Sequence, residues 1–348
     1  MARADRSPST RRRRAGVLAL VLLVAGLVVF ALSRLDLSRV GHALVTASPG
    51  WIAVALVLMG SSLFLRSVSW RETLRAALPD TPIRWAPVTR ATMIGVMASA
   101  LFPGRLGEPS RVLVVTRRLP GSRRRLLPVV AGTVFSQTLM NLIALAILAI
   151  ITFSSVPLAG GHATGIVIAL AIPLAICALV LAGPRLVSLG RRSRSPRVQG
   201  IAESLERLLR YARQGLVVFA RLRLGVAAVT MQLAAWALQW LACYAVLRAL
   251  GLEHKTGLAT AAAILLAVNV SAILPATPSN VGVFQAACLV VLAAYGVNAG
   301  QGLAYGIILQ AVEVVTALVL GVPALLREGV TWSELRREAG SAGDEGAQ

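Results

Sequence analysis

Long apolar runs separated by short polar segments dominate the pattern along this chain. The run from Leu126 to Phe153 contains no charged residue and exceeds the roughly 18 residues needed to cross a bilayer. Because no water satisfies backbone groups in hydrocarbon, such runs must be helical. The pattern predicts an all-α polytopic membrane protein with about six full spans, at residues 15–33, 51–68, 126–153, 164–182, 223–250 and 302–326.

Two further apolar regions are interrupted by Gly, Pro and polar residues. The arms on either side of each break are shorter than a spanning helix. Irregular backbone at membrane depth is tolerated only inside protein or beside a wet cavity. We therefore expect two re-entrant hairpins, with arms 88–102 and 109–116 around the break 101–108, and arms 257–274 and 283–295 around the break 275–282.

The two halves of the chain share this layout. Leu74, Arg75 and Ala76 match residues 247–249, and the Pro103 that enters the first break matches Pro275 in the second. Each half has the order span, broken hairpin, span. We predict repeat A over 51–153, repeat B over 223–326, and one membrane domain over 15–326.

Positive charge is concentrated in loops. The formal net charge is +21, but the basic residues flank apolar runs, as the positive-inside rule produces, so we expect no nucleic-acid partner. The first apolar run is interpreted as an uncleaved anchor rather than a signal peptide. The prediction is a multi-pass plasma-membrane protein with a basic cytoplasmic segment 1–14, a disordered cytoplasmic tail 327–348, and halves of inverted orientation.

The segment 183–222 between the repeats is soluble in character. Its apolar residues recur near helical spacing, which fits either an amphipathic helix on the cytoplasmic surface or a solvated linker helix. The three cysteines lie apart in apolar segments, and the three histidines lack metal-ligand spacing. We expect no metal and no cofactor.

Charged residues in the first break are the main candidates for a binding site. Arg105, Glu108 and Arg111 would be costly at membrane depth, so they persist there mainly where they function or pair. A free guanidinium binds phosphate in bidentate fashion. In the structural alternative, Glu108 forms an ion pair with Arg105 or Arg111 and stabilises the backbone of the break. Gly104 and Gly107 allow either close approach of a ligand or a plain turn.

The second break offers neutral polar groups. Thr277, Ser279 and Asn280 supply hydroxyl and amide partners for a ligand, while Ser279 or Asn280 as an N-cap of the following arm is an equal alternative. Glu313 lies in the middle of the last span, where it either carries a proton during transport or pairs with a buried arginine.

Four other residues are interpreted structurally. Gln137 and Asn141 share a helix face at i, i+4 spacing, which favours helix–helix contacts over ligand binding. Arg66 and Trp70 are expected at the cytoplasmic boundary, as a snorkelling side chain and an aromatic anchor.

Several of these residues resemble the lysylphosphatidylglycerol synthase transmembrane family, whose members are also described as flippase-like. The resemblance covers about 51–326 and rests on Arg66, Trp70, the Pro-Gly-Arg-Leu-Gly-Glu segment 103–108 and the segment 275–284. It implies lipid translocation. No counterpart of the soluble aminoacyltransferase domain follows Leu326, so we expect no aminoacyl transfer.

This sequence departs from the family at two places. The stretch 136–141 reads Ser-Gln-Thr-Leu-Met-Asn, where relatives often carry a Glu-Arg pair and an acidic residue. Gln310 stands where relatives often have Arg. The loss of these charges puts an ion-coupled mechanism in question.

The sequence thus favours a flippase-like protein that moves a polar or anionic lipid head group, with a phospholipid or a polyprenyl-phosphate lipid as its partner. One alternative is a membrane-embedded transferase on a polyprenyl-phosphate lipid. Another is a non-transporting partner of a separate lipid-modifying enzyme. The lipid, the energy source and the oligomeric state stay open.

Overall fold

A computed structural model of the chain describes residues 45–101, 107–155, 217–272 and 281–328. Within these ranges the chain forms helices joined by turns, with no β-strand. Eight helices carry the fold, namely α1 (Pro49–Ala77), α2 (Trp85–Leu101), α3 (Gly107–Arg118), α4 (Arg123–Ser155), α5 (Leu222–Ala249), α6 (Leu258–Ser271), α7 (Val283–Ala294) and α8 (Ala299–Glu328).

Four of these helices, α1, α4, α5 and α8, are long and apolar enough to cross a membrane. Large apolar side chains such as Val290, Val319 and Leu222 lie exposed on the outside of the bundle, as lipid contact requires. The predicted all-α polytopic membrane fold is confirmed. The predicted spans at 15–33 and 164–182 lie outside the described residues, as do the segment 1–14 and most of the segments 183–222 and 327–348.

Two of the helices that extend beyond their predicted limits reach into segments predicted to be polar. The second predicted span, 51–68, was expected to end near Val68, but α1 continues to Ala77. The buried carboxylate of Glu72 accepts hydrogen bonds from Arg71 and Arg75 at 2.9 and 2.8 Å. The charged side chains of this part of α1 therefore pair with one another inside the helix. The last helix continues to Glu328, two residues into the predicted tail.

The equivalent helices α1 and α5 of the two halves run antiparallel. The N–H of Ser48, before α1, donates to the carbonyl oxygen of Ala249 at the end of α5, at 2.8 Å. The hydroxyl of Ser69, near the other end of α1, donates to the carbonyl oxygen of Ala228 early in α5, also at 2.8 Å. Opposite directions of equivalent helices are what an inverted repeat requires.

The first helical hairpin, α2 and α3, begins and ends at one end of the bundle. Arg71 donates to the carbonyl oxygen of Ile83, just before α2, at 3.1 Å. Arg118, at the end of α3, contacts Glu328 at the end of α8. We call this the arginine-rich end, because it holds Arg71, Arg75, Arg84, Arg117, Arg118, Arg221, Arg223 and Arg327.

The second helical hairpin, α6 and α7, begins and ends at the opposite end. The indole N–H of Trp240, in the second half of α5, donates to the carbonyl oxygen of Leu258 at 2.7 Å. α7 runs antiparallel to the first half of α8, since a Cβ on Gly302 would lie 3.4 Å from Leu289 and one on Gly306 3.0 Å from Gln285. The two hairpins therefore enter the bundle from opposite ends.

A glycine pair lets α2 and α3 cross closely. A Cβ on Gly95 would lie 2.8 Å from the carbonyl oxygen of Gly107, and a Cβ on Gly107 would collide with the carbonyl oxygen of Gly95 and the hydroxyl of Ser99. Small residues at such crossings are how membrane helices approach one another.

Glu328 ties the first hairpin to the last helix. Its side chain is 1% exposed and accepts from the Nε–H groups of Arg90 in α2 and of Arg118 in α3, the latter at 2.7 Å. Arg118 also donates to the carbonyl oxygen of Glu328 at 3.2 Å. One carboxylate thus fixes the outer ends of both arms.

Replacing Gly107 by Ala is expected to lower the free energy of unfolding by about 1–3 kcal/mol, because the added methyl group overpacks the α2–α3 crossing. Thermal unfolding of the purified protein in detergent measures the effect. Gly60→Ala is the matched control, since its Cβ would make ordinary contacts at 3.8 and 3.9 Å. Equal stability of the two variants would contradict the packing role.

Replacing Glu328 by Gln is expected to cost about 1–3 kcal/mol, because two guanidiniums lose their shared carboxylate. Unfolding in detergent and protease sensitivity of the α2–α3 hairpin report the loss. Glu253→Gln serves as the control, since its pair with Arg248 is longer, at 3.4 Å, and less buried. A smaller effect for Glu328 than for Glu253 would refute the assignment.

Candidate functional site

A cavity of about 340 Å³ lies inside the bundle where the two hairpins meet the middle of the four long helices. All eight described helices contribute to its lining. Its size falls in the range of small-molecule sites in proteins. The charged and carboxamide side chains that line it are Arg66, Glu108, Arg111, Gln137, Asn141, Gln232, Gln239, Asn269, Gln310 and Glu313.

Arg66 lies in the cavity, so its interpretation as a boundary residue was wrong. α1 continues from Arg66 to Ala77, so the side chain lies well inside the span. Its Nη2–H donates to Oε1 of Gln239 at 2.6 Å, and its guanidinium lies 5.4 Å from the centroid of the Trp236 ring. Both partners belong to α5, the antiparallel neighbour of α1.

Arg111 lies on α3 and projects into the same cavity. Its Nη1–H donates to Oε1 of Gln137 at 2.7 Å, and its guanidinium lies 5.0 Å from the centroid of the Trp70 ring. Trp70 is fully buried and donates to the hydroxyl of Thr133 at 3.0 Å. It forms a wall behind the site and is not an interfacial anchor.

Gln137 and Asn141 connect helices and also face the cavity. The Nε2–H of Gln137 donates to the carbonyl oxygen of Arg66 at 3.2 Å. Oδ1 of Asn141 accepts from Nε2 of Gln232 at 2.6 Å and from the indole N–H of Trp236 at 3.0 Å. The expected helix–helix contacts are present, but both side chains line the cavity as well.

Neither of the two carboxylates at the cavity forms a close ion pair with Arg66 or Arg111. Oε1 of Glu108 lies 3.9 Å from Nη2 of Arg111, and the Glu108 side chain is 54% exposed. Glu108 therefore does not clamp Arg111 tightly. Glu313 faces the cavity from α8 and has no ion pair within 4 Å among the residues that the structure describes.

The two arginines are held mainly by neutral groups. Carboxamide oxygens and indole faces fix the two guanidiniums without cancelling their charge. The Nε–H groups of Arg66 and Arg111 are buried and have no hydrogen-bond acceptor in the described part of the chain. This arrangement leaves positive charge and free donors for an anionic ligand, with a geometry that suits phosphate.

The remaining predicted residues divide into two groups. Gly107 lines the cavity, but its contact with Gly95 shows that close helix packing requires the glycine. Gly104, Arg105, Thr277, Ser279 and Asn280 lie outside the described residues. The flanking Ala100, Gly107 and Ala272 all line the cavity.

The cap of α7 differs from the one proposed from sequence. The N-cap is Gly282, with φ +90°, and its N–H donates to Oε1 of Gln285 at 2.6 Å. Gln285 also donates to Oε1 of Gln310. Because Gly282 occupies the cap position, neither Ser279 nor Asn280 is the N-cap, and the positive φ explains why a glycine stands there.

Sequence reasoning missed the contribution of α5. Gln232, Trp236 and Gln239 have i, i+4, i+7 spacing and therefore share one face of the helix. A polar stripe within an otherwise apolar span indicates a face turned toward protein or a wet cavity. That spacing was the signal that would have added α5 to the site.

No curated protein sequence matched this chain. A family-level comparison did give a match: the sequence model described as lysylphosphatidylglycerol synthase TM region covers residues 16–321. The match confirms the resemblance seen in the sequence and extends it toward the N-terminus. With most of its length inside that match and a polytopic helical bundle as its fold, the chain belongs to the family of the lysylphosphatidylglycerol synthase TM region.

Proposed function

We propose that this protein is a flippase that moves the polar or anionic head group of a membrane lipid across the plasma membrane. The observation that carries the proposal is the cavity, in which Arg66 and Arg111 lie at mid-helix depth and are held by neutral partners. A head group would enter this cavity while the acyl chains stay in the bilayer.

The helix ends around the cavity support the proposal. Gly107 at the N-terminus of α3 and Phe284 in the first turn of α7 line it. Helix N-termini favour anions because their N–H groups are unpaired and the helix dipole is positive there. Broken helices that end at a central site are a transporter design, and in the bilayer the two hairpins would be re-entrant.

The two hairpins supply a route for alternating access. Since α2 and α3 enter from the arginine-rich end and α6 and α7 from the other, each hairpin would separate the cavity from one side of the membrane. By the positive-inside rule, the arginine-rich end would face the cytoplasm. The last described residue, Glu328, lies at that end, which supports cytoplasmic termini.

The first test is lipid movement in proteoliposomes. Arg111→Gln is expected to slow head-group translocation about 10- to 100-fold, because a charge-assisted contact to phosphate is worth about 1.5–3 kcal/mol. A fluorescent phosphatidylglycerol analogue and dithionite quenching measure the rate. Replacing Arg105 or Glu108 by Ala is expected to abolish translocation while leaving folding intact.

The control for charge is Arg223→Gln, since Arg223 is exposed at the arginine-rich end and does not line the cavity. Melting in detergent verifies that each variant is folded. Normal translocation by a folded Arg111→Gln protein would refute the site. Loss of translocation in Arg223→Gln to the same degree would point to a general effect of charge.

A second test concerns Glu313 as a proton carrier. If protonation of this carboxylate drives the cycle, an imposed pH gradient will accelerate transport by the native protein but not by Glu313→Gln. The same assay with and without the gradient measures this dependence. The control is Glu253→Gln, which removes a carboxylate at the end of the bundle opposite the arginine-rich end. A Glu313→Gln protein that still responds to the gradient would exclude the role.

A further inference from the structure

A second, separate depression of about 550 Å³ lies at the arginine-rich end, and we call it the basic groove. It is bordered by the end of α1, the loop 78–84 and the start of α5. Four arginines surround it, namely Arg71, Arg75, Arg84 and Arg221. No carboxylate is among the described residues that line it.

The four arginines differ in how far they are neutralised. Arg71 and Arg75 share the buried carboxylate of Glu72, so two positive charges are balanced by one negative charge. Arg84 and Arg221 are exposed, and neither has a carboxylate within 4 Å among the residues described. The exposed Asp80 belongs to the same loop but does not line the groove. The groove therefore keeps an excess of positive charge, carried mainly by Arg84 and Arg221.

The rest of the lining is apolar except for Thr81. Leu78, Pro79, Pro82, Ile83 and Leu224 line the groove between the arginines. Trp85 and Leu222, which begin α2 and α5 nearby, are exposed, as residues at the membrane interface are. An apolar surface with basic residues at this level matches a lipid, whose phosphate lies directly above its acyl chains.

The loop in the groove has a defined conformation. The N–H of Leu78 donates to the carbonyl oxygen of Leu74 at 2.8 Å, and that of Thr81 donates to Leu78 at 3.2 Å. Arg71 holds the carbonyl oxygen of Ile83 at 3.1 Å, and prolines stand at 79 and 82. A preformed loop lowers the entropic cost of binding.

We propose that the basic groove binds the phosphate group of an anionic phospholipid, at a site distinct from the central cavity. Arg84 and Arg221 would contact the phosphate oxygens, and the apolar residues would contact the glycerol and the first acyl carbons. The site does not depend on transport, because none of its residues lines the cavity.

Isothermal titration calorimetry tests the proposal. It measures the affinity of the full chain for dioctanoyl phosphatidylglycerol in neutral detergent. The measurements are made in the Arg111→Gln variant, in which lipid binding at the central cavity is expected to be weaker. The binding that remains then comes mainly from the basic groove. Adding Arg84→Gln or Arg221→Gln is expected to weaken that binding about fivefold each, and the pair about 25-fold. Arg223→Gln has the same change of charge two residues from Arg221, outside the groove, and is expected to change affinity less than about twofold.

Three outcomes would overturn the proposal. Equal weakening by Arg223→Gln would show diffuse surface charge. If the unmodified groove binds dioctanoyl phosphatidylcholine as tightly as dioctanoyl phosphatidylglycerol, the binding is apolar alone. This comparison needs no substitution in the groove, so it holds even if a variant fails to fold. Tighter binding of inorganic pyrophosphate than of phosphatidylglycerol at matched ionic strength would identify a soluble phosphate compound as the ligand, whereas tighter binding of phosphatidylglycerol supports the lipid.

Discussion

The cost of keeping two guanidiniums inside an apolar bundle constrains the whole structure. A charge at membrane depth is unfavourable by about 2.5–3.5 kcal/mol or more unless it is solvated by protein. Arg66 is solvated by Gln239 and Trp236 of α5, and Arg111 by Gln137 of α4 and Trp70 of α1. These contacts require four helices to have fixed relative positions, so the bundle and the site depend on the same interactions.

The partners of each arginine determine what it can do. Arg90 and Arg118 share the buried carboxylate of Glu328, which uses their charge to hold a hairpin. Arg66 and Arg111 are positioned mainly by neutral groups, which keeps their charge for a ligand. Arginine therefore stabilises the fold at one end of the bundle and lines the central cavity with uncancelled charge, because carboxylates cancel charge and carboxamides do not.

The interrupted helices and the glycine crossing serve the same cavity. A continuous span would pass through the centre of the bundle, whereas α2, α3, α6 and α7 begin or end beside it. The contact between Gly95 and Gly107 brings the arms of the first hairpin together at that depth. Close packing of the arms thus places the N-terminus of α3, and with it Arg111, at the cavity.

The amino-acid sequence by itself determined the helical membrane fold, the two interrupted regions and the candidacy of Glu108, Arg111 and Glu313. These features follow from local hydrophobicity, helix-breaking residues and the cost of charge in lipid, which require no knowledge of neighbours. Only the tertiary structure decided the positions of Arg66 and Trp70, because a residue near the end of an apolar run looks interfacial until the helix is seen to continue.

Tertiary structure also decided which polar groups share the cavity. Gln137 and Gln239 are distant in sequence, and they meet the two arginines only because α4 packs against α3 and the antiparallel α5 packs against α1. Pairings of this kind depend on helix rotation and register, and a single sequence does not encode these in any local pattern. The break at 101–108 pointed to Glu108 and Arg111 as candidates, but an opposing helix supplies the carboxamide that holds Arg111.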